Sequence, residues 1–152
     1  MPIEACYMKK IALFLFASLI VYATFFTEKD RLDREVKRLC AIDGGIKVYE
    51  TVKLPAERFD QYGQISIPYK KNVKAGDEYY YESSTVYLIR GNPEMWRSHY
   101  RVYRAYDSKF LGESVGYARV GGDIPGPWHS SSYSCPDKVD ITDLKKQIFV
   151  EN

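Results

Sequence analysis

The distribution of apolar and polar positions divides the chain into two parts. From Ile11 to Phe26 no residue is charged, and two lysines come directly before this run. As a helix, these 16 residues would span about 24 Å, slightly less than the ~30 Å hydrocarbon core of a bilayer. After residue 27, charged and apolar residues are interspersed throughout. We therefore expect a membrane-directed segment over residues 1–27 and a single folded domain over residues 28–152.

The membrane-directed segment has two interpretations. It is either a signal anchor that holds residues 11–26 in a bacterial inner membrane, or a signal peptide that is cleaved near Ala23. The apolar run continues past that site through Thr24-Phe25-Phe26, which favours the anchor. With lysines before the run and mixed charges after it, we expect the N-terminus in the cytoplasm and the domain in the periplasm.

The periodicity of residues 28–152 predicts an α+β domain, in which a short amphipathic helix precedes a mostly antiparallel, tyrosine-rich sheet; the whole chain has 14 tyrosines. Leu32 and Val36 have helical spacing, Asp33 and Lys37 could form a favourable pair on the surface, and Gly44 would end the helix. Strands are predicted over residues 46–54, 65–67, 79–90, 96–106 and 110–120, the last three as a meander, and a short closing helix or strand over residues 140–150.

A long loop is predicted over Gly121–Asp137, because this stretch is rich in glycine, proline and serine. Long loops in compact domains are often functional. Trp128 and His129 lie within it and are candidate contacts for a ligand or partner, although Trp128 could equally fold back over the core.

The three cysteines differ in position relative to the apolar run. Cys6 precedes it, whereas Cys40 and Cys135 follow it and would be exported. In an oxidising compartment two cysteines in a small domain are expected to pair, so we predict a disulfide between Cys40 and Cys135. Two buried free thiols are the alternative. No cysteine and histidine pair has the close spacing of a zinc site, so no metal is expected.

The stretch from Leu39 to Pro55, LCAIDGGIKVYETVKLP, resembles a block in small uncharacterised membrane-directed extracytoplasmic proteins of proteobacterial and prophage type. A Gly-Gly-Asp segment at Gly121 and a Cys-Pro pair at Cys135 extend the resemblance. The resemblance implies a bacterial envelope protein, and the family has no known function that could be transferred.

Two patterns are candidates for chemistry. Gly112-Glu113-Ser114-Val115-Gly116 matches the G-x-S-x-G turn of α/β-hydrolases, and Asp123 and His129 follow it. The residues after Gly116 read as a strand, however, where such glycines more often permit a bulge or a close backbone approach.

The second pattern alternates along one predicted strand. Its members Arg97, His99, Arg101 and Tyr103 would share one face of the sheet, where arginines could bind an anion such as a phosphate or a charged glycan. Alternatively, this is a solvated face paired with the acidic residues Glu82, Glu94 or Glu113.

These features favour a non-enzymatic binding or interaction module at the periplasmic face of the inner membrane, whose partner is an envelope protein or an anionic ligand. A net charge of +2 gives no reason to expect nucleic acid as a partner, and no cofactor motif is present. The alternative is a small envelope hydrolase that uses Ser114 or a carboxylate pair. An enzyme should bring Ser114 within hydrogen-bond reach of His99 or His129, whereas a binding module should present an exposed patch of tyrosine, tryptophan or arginine.

Overall fold

In the computed structural model, which describes residues 2–123, 127, 129–137 and 140–152 (the backbone alone for 2–7 and 24–27), the chain is α+β, as predicted. A long N-terminal helix precedes a mostly antiparallel sheet. The elements are α1 (Pro2–Asp43), β1 (Gly45–Val48), β2 (Val52–Leu54), β3 (Tyr79–Ile89), β4 (Glu94–Arg104), β5 (Phe110–Val120), β6 (Ser132–Cys135), α2 (Ile141–Ile148) and β7 (Phe149–Glu151), with 3-10 turns at Ala56–Arg58 and Lys70–Asn72.

The predicted membrane segment and the predicted amphipathic helix form one continuous helix, α1. All described side chains from Met8 to Ala23 are exposed, whereas Leu32, Val36 and Cys40 further along are buried. By length and composition, α1 is apolar enough to cross a membrane near its N-terminus. The first part of α1 is therefore apolar and exposed, and its second part packs against the rest of the domain.

The sheet is built around the meander predicted from the sequence, in which β3, β4 and β5 are antiparallel neighbours. Its strand order is β1-β5-β4-β3, so β3 is an edge strand. β6 also pairs with β5, next to the residues that pair with β1. β2 and β7 form a separate parallel pair.

A helix packs on each face of the sheet, which produces two hydrophobic clusters. On the α1 face the cluster consists of Leu32, Val36, Cys40, Met95, Val115 and Tyr117. On the α2 face it consists of Leu54, Ile65, Val102, Leu111, Leu144, Ile148 and Phe149. Gly112 permits the approach of α2, because a Cβ atom there would lie 2.9 Å from Ile148 Cδ1 and 2.9 Å from the Lys47 carbonyl. The sequence interpretation of this glycine as a site of close approach is therefore confirmed.

The contacts of α1 show that it runs along β5 in the opposite direction. Lys29 pairs with Asp123, just beyond the end of β5, and Asp43 pairs with Tyr117 inside it. From Lys29 to Asp43 the helix rises about 21 Å, and from Tyr117 to Asp123 the strand extends about 20 Å. The two lengths agree, as expected for two elements that lie side by side. The apolar part of α1 therefore projects beyond the end of the sheet formed by residues 90–93 and 121–123, which we call the anchor end.

Three sequence predictions of strand and loop need correction. The predicted strand over residues 65–67 is wrong. Ile65 is buried, but its carbonyl accepts a hydrogen bond from Lys145 Nζ at 2.9 Å and not from the backbone of a neighbouring strand. The predicted strand over residues 46–54 is divided into β1 and β2, because the amides of Tyr49 and Glu50 both donate to the Leu111 carbonyl. The predicted loop contains β6.

Candidate functional site

Beyond the end of α1, no helix of the described residues covers the α1 face of the sheet, and most side chains there are half-buried. The predicted residues Arg97, His99, Arg101 and Tyr103 of β4 share this face, because alternate residues of a strand point to the same side. We call this surface the open face; its members are Arg97, His99, Arg101, Tyr103, Tyr80, Glu82, Phe110, Glu113 and Tyr49.

Each basic side chain that was predicted to bind an anion is paired with a carboxylate. Arg101 lies 3.2 Å from Glu82, which also pairs with Lys70. His99 Nε2 lies 2.8 Å from Glu113. These are two of the acidic partners named from the sequence, and an incoming anion would have to displace them.

Arg97 has a different partner, which lies at the end of α1. Its guanidinium donates to Asp43 at 2.9 Å, and the Tyr117 hydroxyl donates to the same carboxylate at 2.7 Å. Burial opposes ionisation of Asp43, but the hydrogen bonds from Tyr117 and Arg97 outweigh it and lower the pKa of this carboxyl. Glu113 follows the same rule: burial is opposed by hydrogen bonds from Tyr49 and His99, and its pKa is lowered. The open face is therefore a surface of mixed charge at neutral pH.

A row of aromatic rings crosses the open face at the end of the sheet opposite the anchor end. Ring centroids lie 5.1 Å apart for Tyr49 and Phe110, and 5.3 Å apart for Phe110 and Tyr103. Tyr103 stacks on Tyr80 at 5.3 Å. Tyr49 is 59% exposed. Such rings offer large contact areas at a low cost in conformational entropy, which suits a binding surface.

The outer edge of β3 is a second candidate surface, which the sequence reasoning missed. The Tyr81 amide donates outward to the Pro68 carbonyl at 3.0 Å, so the amides of Ser83 and Thr85 also point outward. Beyond Tyr81, no strand in the part of the chain that the structure describes pairs with this edge. All side chains from Ser83 to Leu88 are exposed. We call this segment the open edge.

The open edge lacks most of the features that protect edge strands. No residue from Ser83 to Ile89 is charged and none is proline. The one protective feature in this segment is a β-bulge near Leu88, where the register with β4 shifts. The uncharged run from Ser83 to Ile89 is visible in the sequence and could have indicated this surface. Nothing in the sequence indicated that β3 would be the edge strand.

The residues of the hydrolase hypothesis are not brought together. Tyr100 is opposite Ser114 and His99 is opposite Val115, so Ser114 and His99 lie on opposite faces of the sheet. Ser114 has 0% exposure, which gives a substrate no access to its hydroxyl. His129 is exposed in the loop after β5, and Trp128 lies outside the described residues.

Carboxylates are concentrated in one groove on the α2 face, which has a volume of about 460 Å³. Asp137, Asp140 and Asp143 line it, and the Asp140 side chain caps α2 by accepting the Asp143 amide at 2.9 Å. Among the described residues no group of three or more side chains could hold a metal ion. The groove is thus explained in part by helix capping.

Comparison with protein-family models, with curated proteins and with solved structures finds no match to this chain. We therefore base the functional proposal on the geometry of the open face and the open edge.

Asp123, which anchors the turn after β5, makes the stability of the domain sensitive to acid. The hydrogen bond from Lys29, followed by that from the Ser131 amide, lowers the pKa of Asp123 from 3.8 to about 2. The unfolded chain therefore binds more protons between these values, and stability falls as the pH drops through them. We expect Asp123→Asn to flatten the loss of unfolding free energy between about pH 5 and pH 2.5, as measured by urea denaturation. Equal slopes for the two proteins would contradict this assignment.

Proposed function

We propose that this chain is a single-pass protein of the bacterial inner membrane, whose periplasmic domain is a non-enzymatic module that binds another protein through the open edge. The observation that carries the proposal is an unpaired, uncharged edge on a long strand, next to a face of mixed charge. The resemblance of residues 39–55 to prophage-type sequences suggests an envelope protein encoded by a prophage.

Two features support the compartment and the anchor. The Cys40–Cys135 disulfide is a bond that persists in oxidising compartments such as the periplasm. The helix continues without a break past Ala23 into the domain, which supports an anchor in preference to cleavage at that residue. The lysines before the apolar run support a cytoplasmic N-terminus.

The open edge suits a partner that contributes an extended segment. Such a segment would accept hydrogen bonds from the outward amides of Ser83 and Thr85, which is the mode known as β-augmentation. The side chains of Glu82 and Val86 lie on the α1 face of β3, so alternate side chains of the partner would extend the open face. Backbone pairing would provide affinity, and the charged and aromatic side chains would provide selectivity.

A second copy in the same membrane does not fit this edge by antiparallel pairing. Antiparallel pairing of β3 with itself requires a two-fold axis perpendicular to the sheet, which reverses the strand direction in the second copy. Because α1 runs along β5, the two apolar segments would then project from opposite ends of the joined sheet. Both segments cannot enter one bilayer in that arrangement, so we propose a different chain as the partner.

The hydrolase alternative has less support. It requires an accessible nucleophile, and the Ser114 hydroxyl is buried on the face opposite His99. A carboxylate pair in the groove beside α2 would be the remaining version of this alternative.

Site-specific photocrosslinking in cells tests the position of the partner. We expect a benzoylphenylalanine at Tyr87, on the open edge, to give a discrete crosslinked species. The same group at Tyr62, which is 69% exposed and lies outside the edge, serves as the matched control. Equal crosslinking at both positions, or none at Tyr87, would contradict the proposal.

A proline substitution tests the backbone pairing itself. Thr85→Pro removes an outward donor without removing a bond to β4, and proline is tolerated at such edge positions. Loss of one hydrogen bond of about 1 kcal/mol should reduce crosslinking at Tyr87 roughly fivefold or more. Thr85→Ala keeps the amide and should leave the yield unchanged. If both variants behave alike, the partner does not use the backbone of this edge.

A further inference from the structure

The direction of α1 is fixed relative to the sheet by several strong contacts. Arg119 donates from Nε and Nη2 to the two carboxylate oxygens of Asp33 at 2.6 and 3.1 Å. The Cys40–Cys135 disulfide joins the end of the helix to β6. With Leu32 and Val36 buried between these contacts, the helix cannot pivot on the sheet without breaking them.

The first contact between α1 and the sheet lies very close to the apolar segment. Lys29 Nζ is 2.9 Å from Asp123, and Lys29 is only three positions after Phe26, where the apolar run ends. Three residues correspond to about 4.5 Å of helix. The headgroup layer of a bilayer is roughly 5–7 Å thick on each side. Helical side chains also lean toward the N-terminus, which brings Asp123 closer still to the apolar segment.

The tip of the β3–β4 hairpin is held at the same level as the Asp123 turn. The Gly122 amide donates to Asn92 Oδ1 at 2.8 Å. A Cβ atom at Gly121 would lie 2.1 Å from the same oxygen, so glycine is required for this contact. Gly91 and Asn92 are exposed, and they form the outermost point of the hairpin. Two separate turns thus form the anchor end.

The chemistry of the anchor end suits phospholipid headgroups. Its acidic residue, Asp123, is neutralised by Lys29. Arg90 lies at the base of the hairpin tip, exposed, with its guanidinium 4.6 Å from the centroid of the Tyr87 ring. A guanidinium in this position can bind a lipid phosphate, and the neutral Gly91 and Asn92 present no charge that would repel it.

We infer that the anchor end of the domain rests in the headgroup layer of the bilayer, which makes the lipid surface a binding partner in addition to the protein proposed above. The inference rests on the proposed anchoring of α1. It fixes the orientation of the domain: the strands stand nearly along the membrane normal, and the open edge faces sideways, parallel to the membrane.

Spin labelling of the full chain in phospholipid vesicles tests the inference. A label at Ser130→Cys, in a Cys6→Ser background with the disulfide intact, should be relaxed by nickel-chelating lipid. Ser130 is exposed at the anchor end, next to Ser131, whose carbonyl accepts a hydrogen bond from the Gly121 amide. The control is Asn72→Cys, an exposed position beside the start of β3, about 30 Å farther from the bilayer. We expect relaxation at position 130 and none at position 72, whereas soluble nickel should relax the label at 72 more strongly.

An insertion in α1 provides a second, independent measurement. Seven helix-forming residues after Thr27 add two turns, which preserves the rotation of the domain and raises it by about 10.5 Å. The relaxation by lipid-bound nickel at position 130 should then fall towards that at position 72. If the label at 130 in the chain without the insertion is not relaxed although that chain floats with the vesicles, the headgroup contact is refuted and the anchor stands. If the chain does not float with the vesicles, the anchor fails as well.

Discussion

Asp33→Ala is expected to destabilise the domain by about 3 kcal/mol, because it leaves a buried guanidinium without its counter-ion. Arg119 is 1% exposed, and Asp33 is its carboxylate partner. The third guanidinium nitrogen, Nη1, remains bonded to the carbonyls of Gly121 and Ser131, so the side chain cannot move into water. Urea denaturation of the full chain in detergent, followed by the fluorescence of Trp96, would measure the loss.

A double variant distinguishes the buried charge from the loss of a contact. Asp33→Ala with Arg119→Met removes both charges, and apolar replacement of a buried pair is often neutral or stabilising. We therefore expect the double variant to be more stable than Asp33→Ala alone. Glu35→Ala, which breaks the exposed pair with Arg38 on the same helix, should have little effect. If the double variant loses as much unfolding free energy as Asp33→Ala and Arg119→Met lose together, the explanation by an uncompensated charge is wrong.

The sequence predicted the parts of this fold whose hydrophobic period is long and regular. The meander of β3, β4 and β5 was predicted because each strand has 11 residues, enough to show its period. The disulfide was predicted from compartment and from the number of cysteines, and the structure confirms that Cys40 and Cys135 pair. Neither inference needed any information about packing.

The sequence could not predict features that depend on the partner across space. Ser132–Cys135 has a single large apolar residue, Tyr133, and becomes strand β6 only because β5 offers it an edge. Asp33 has the spacing for a surface pair with Lys37, but its carboxylate is used by Arg119, which is 86 residues away. Local spacing gives no information about contacts of that kind.

The open face was predictable only in the part that depends on alternation along a strand. Alternation along β4 correctly placed four side chains on one side, and the acidic partners Glu82 and Glu113 came from neighbouring strands that were also predicted. Asp43 was not foreseen, because its contact with Arg97 depends on where α1 ends on the sheet. The open edge depends on strand order, which periodicity does not give.

Removal of the disulfide, by Cys40→Ala with Cys135→Ala, is expected to reduce the unfolding free energy by about 3–5 kcal/mol. The two cysteines are 95 residues apart, and on the chain-entropy model a crosslink that closes a loop of this length restricts the unfolded chain strongly. Alanine is chosen because Cys40 is 8% exposed, and a serine hydroxyl there would be buried. The loss should appear in urea denaturation, with faster hydrogen exchange at β6 as its local sign, since this strand has only four residues to pair with β5.

The state of the Cys40–Cys135 disulfide also tests the proposed compartment. The state of the cysteines and the presence of the N-terminal peptide can be measured on one sample. Cys6→Ser should leave stability unchanged, because Cys6 precedes the apolar run and is not a partner in the disulfide. Mass spectrometry of the unreduced chain from a membrane fraction should find Cys40 joined to Cys135 and the peptide of residues 8–26 still attached. Free thiols at both positions would place the domain in a reducing compartment, and the proposed periplasmic binding function would then fail with it. An intact disulfide on a chain that has lost its N-terminal peptide would retain the compartment but replace the anchor with a cleaved signal peptide.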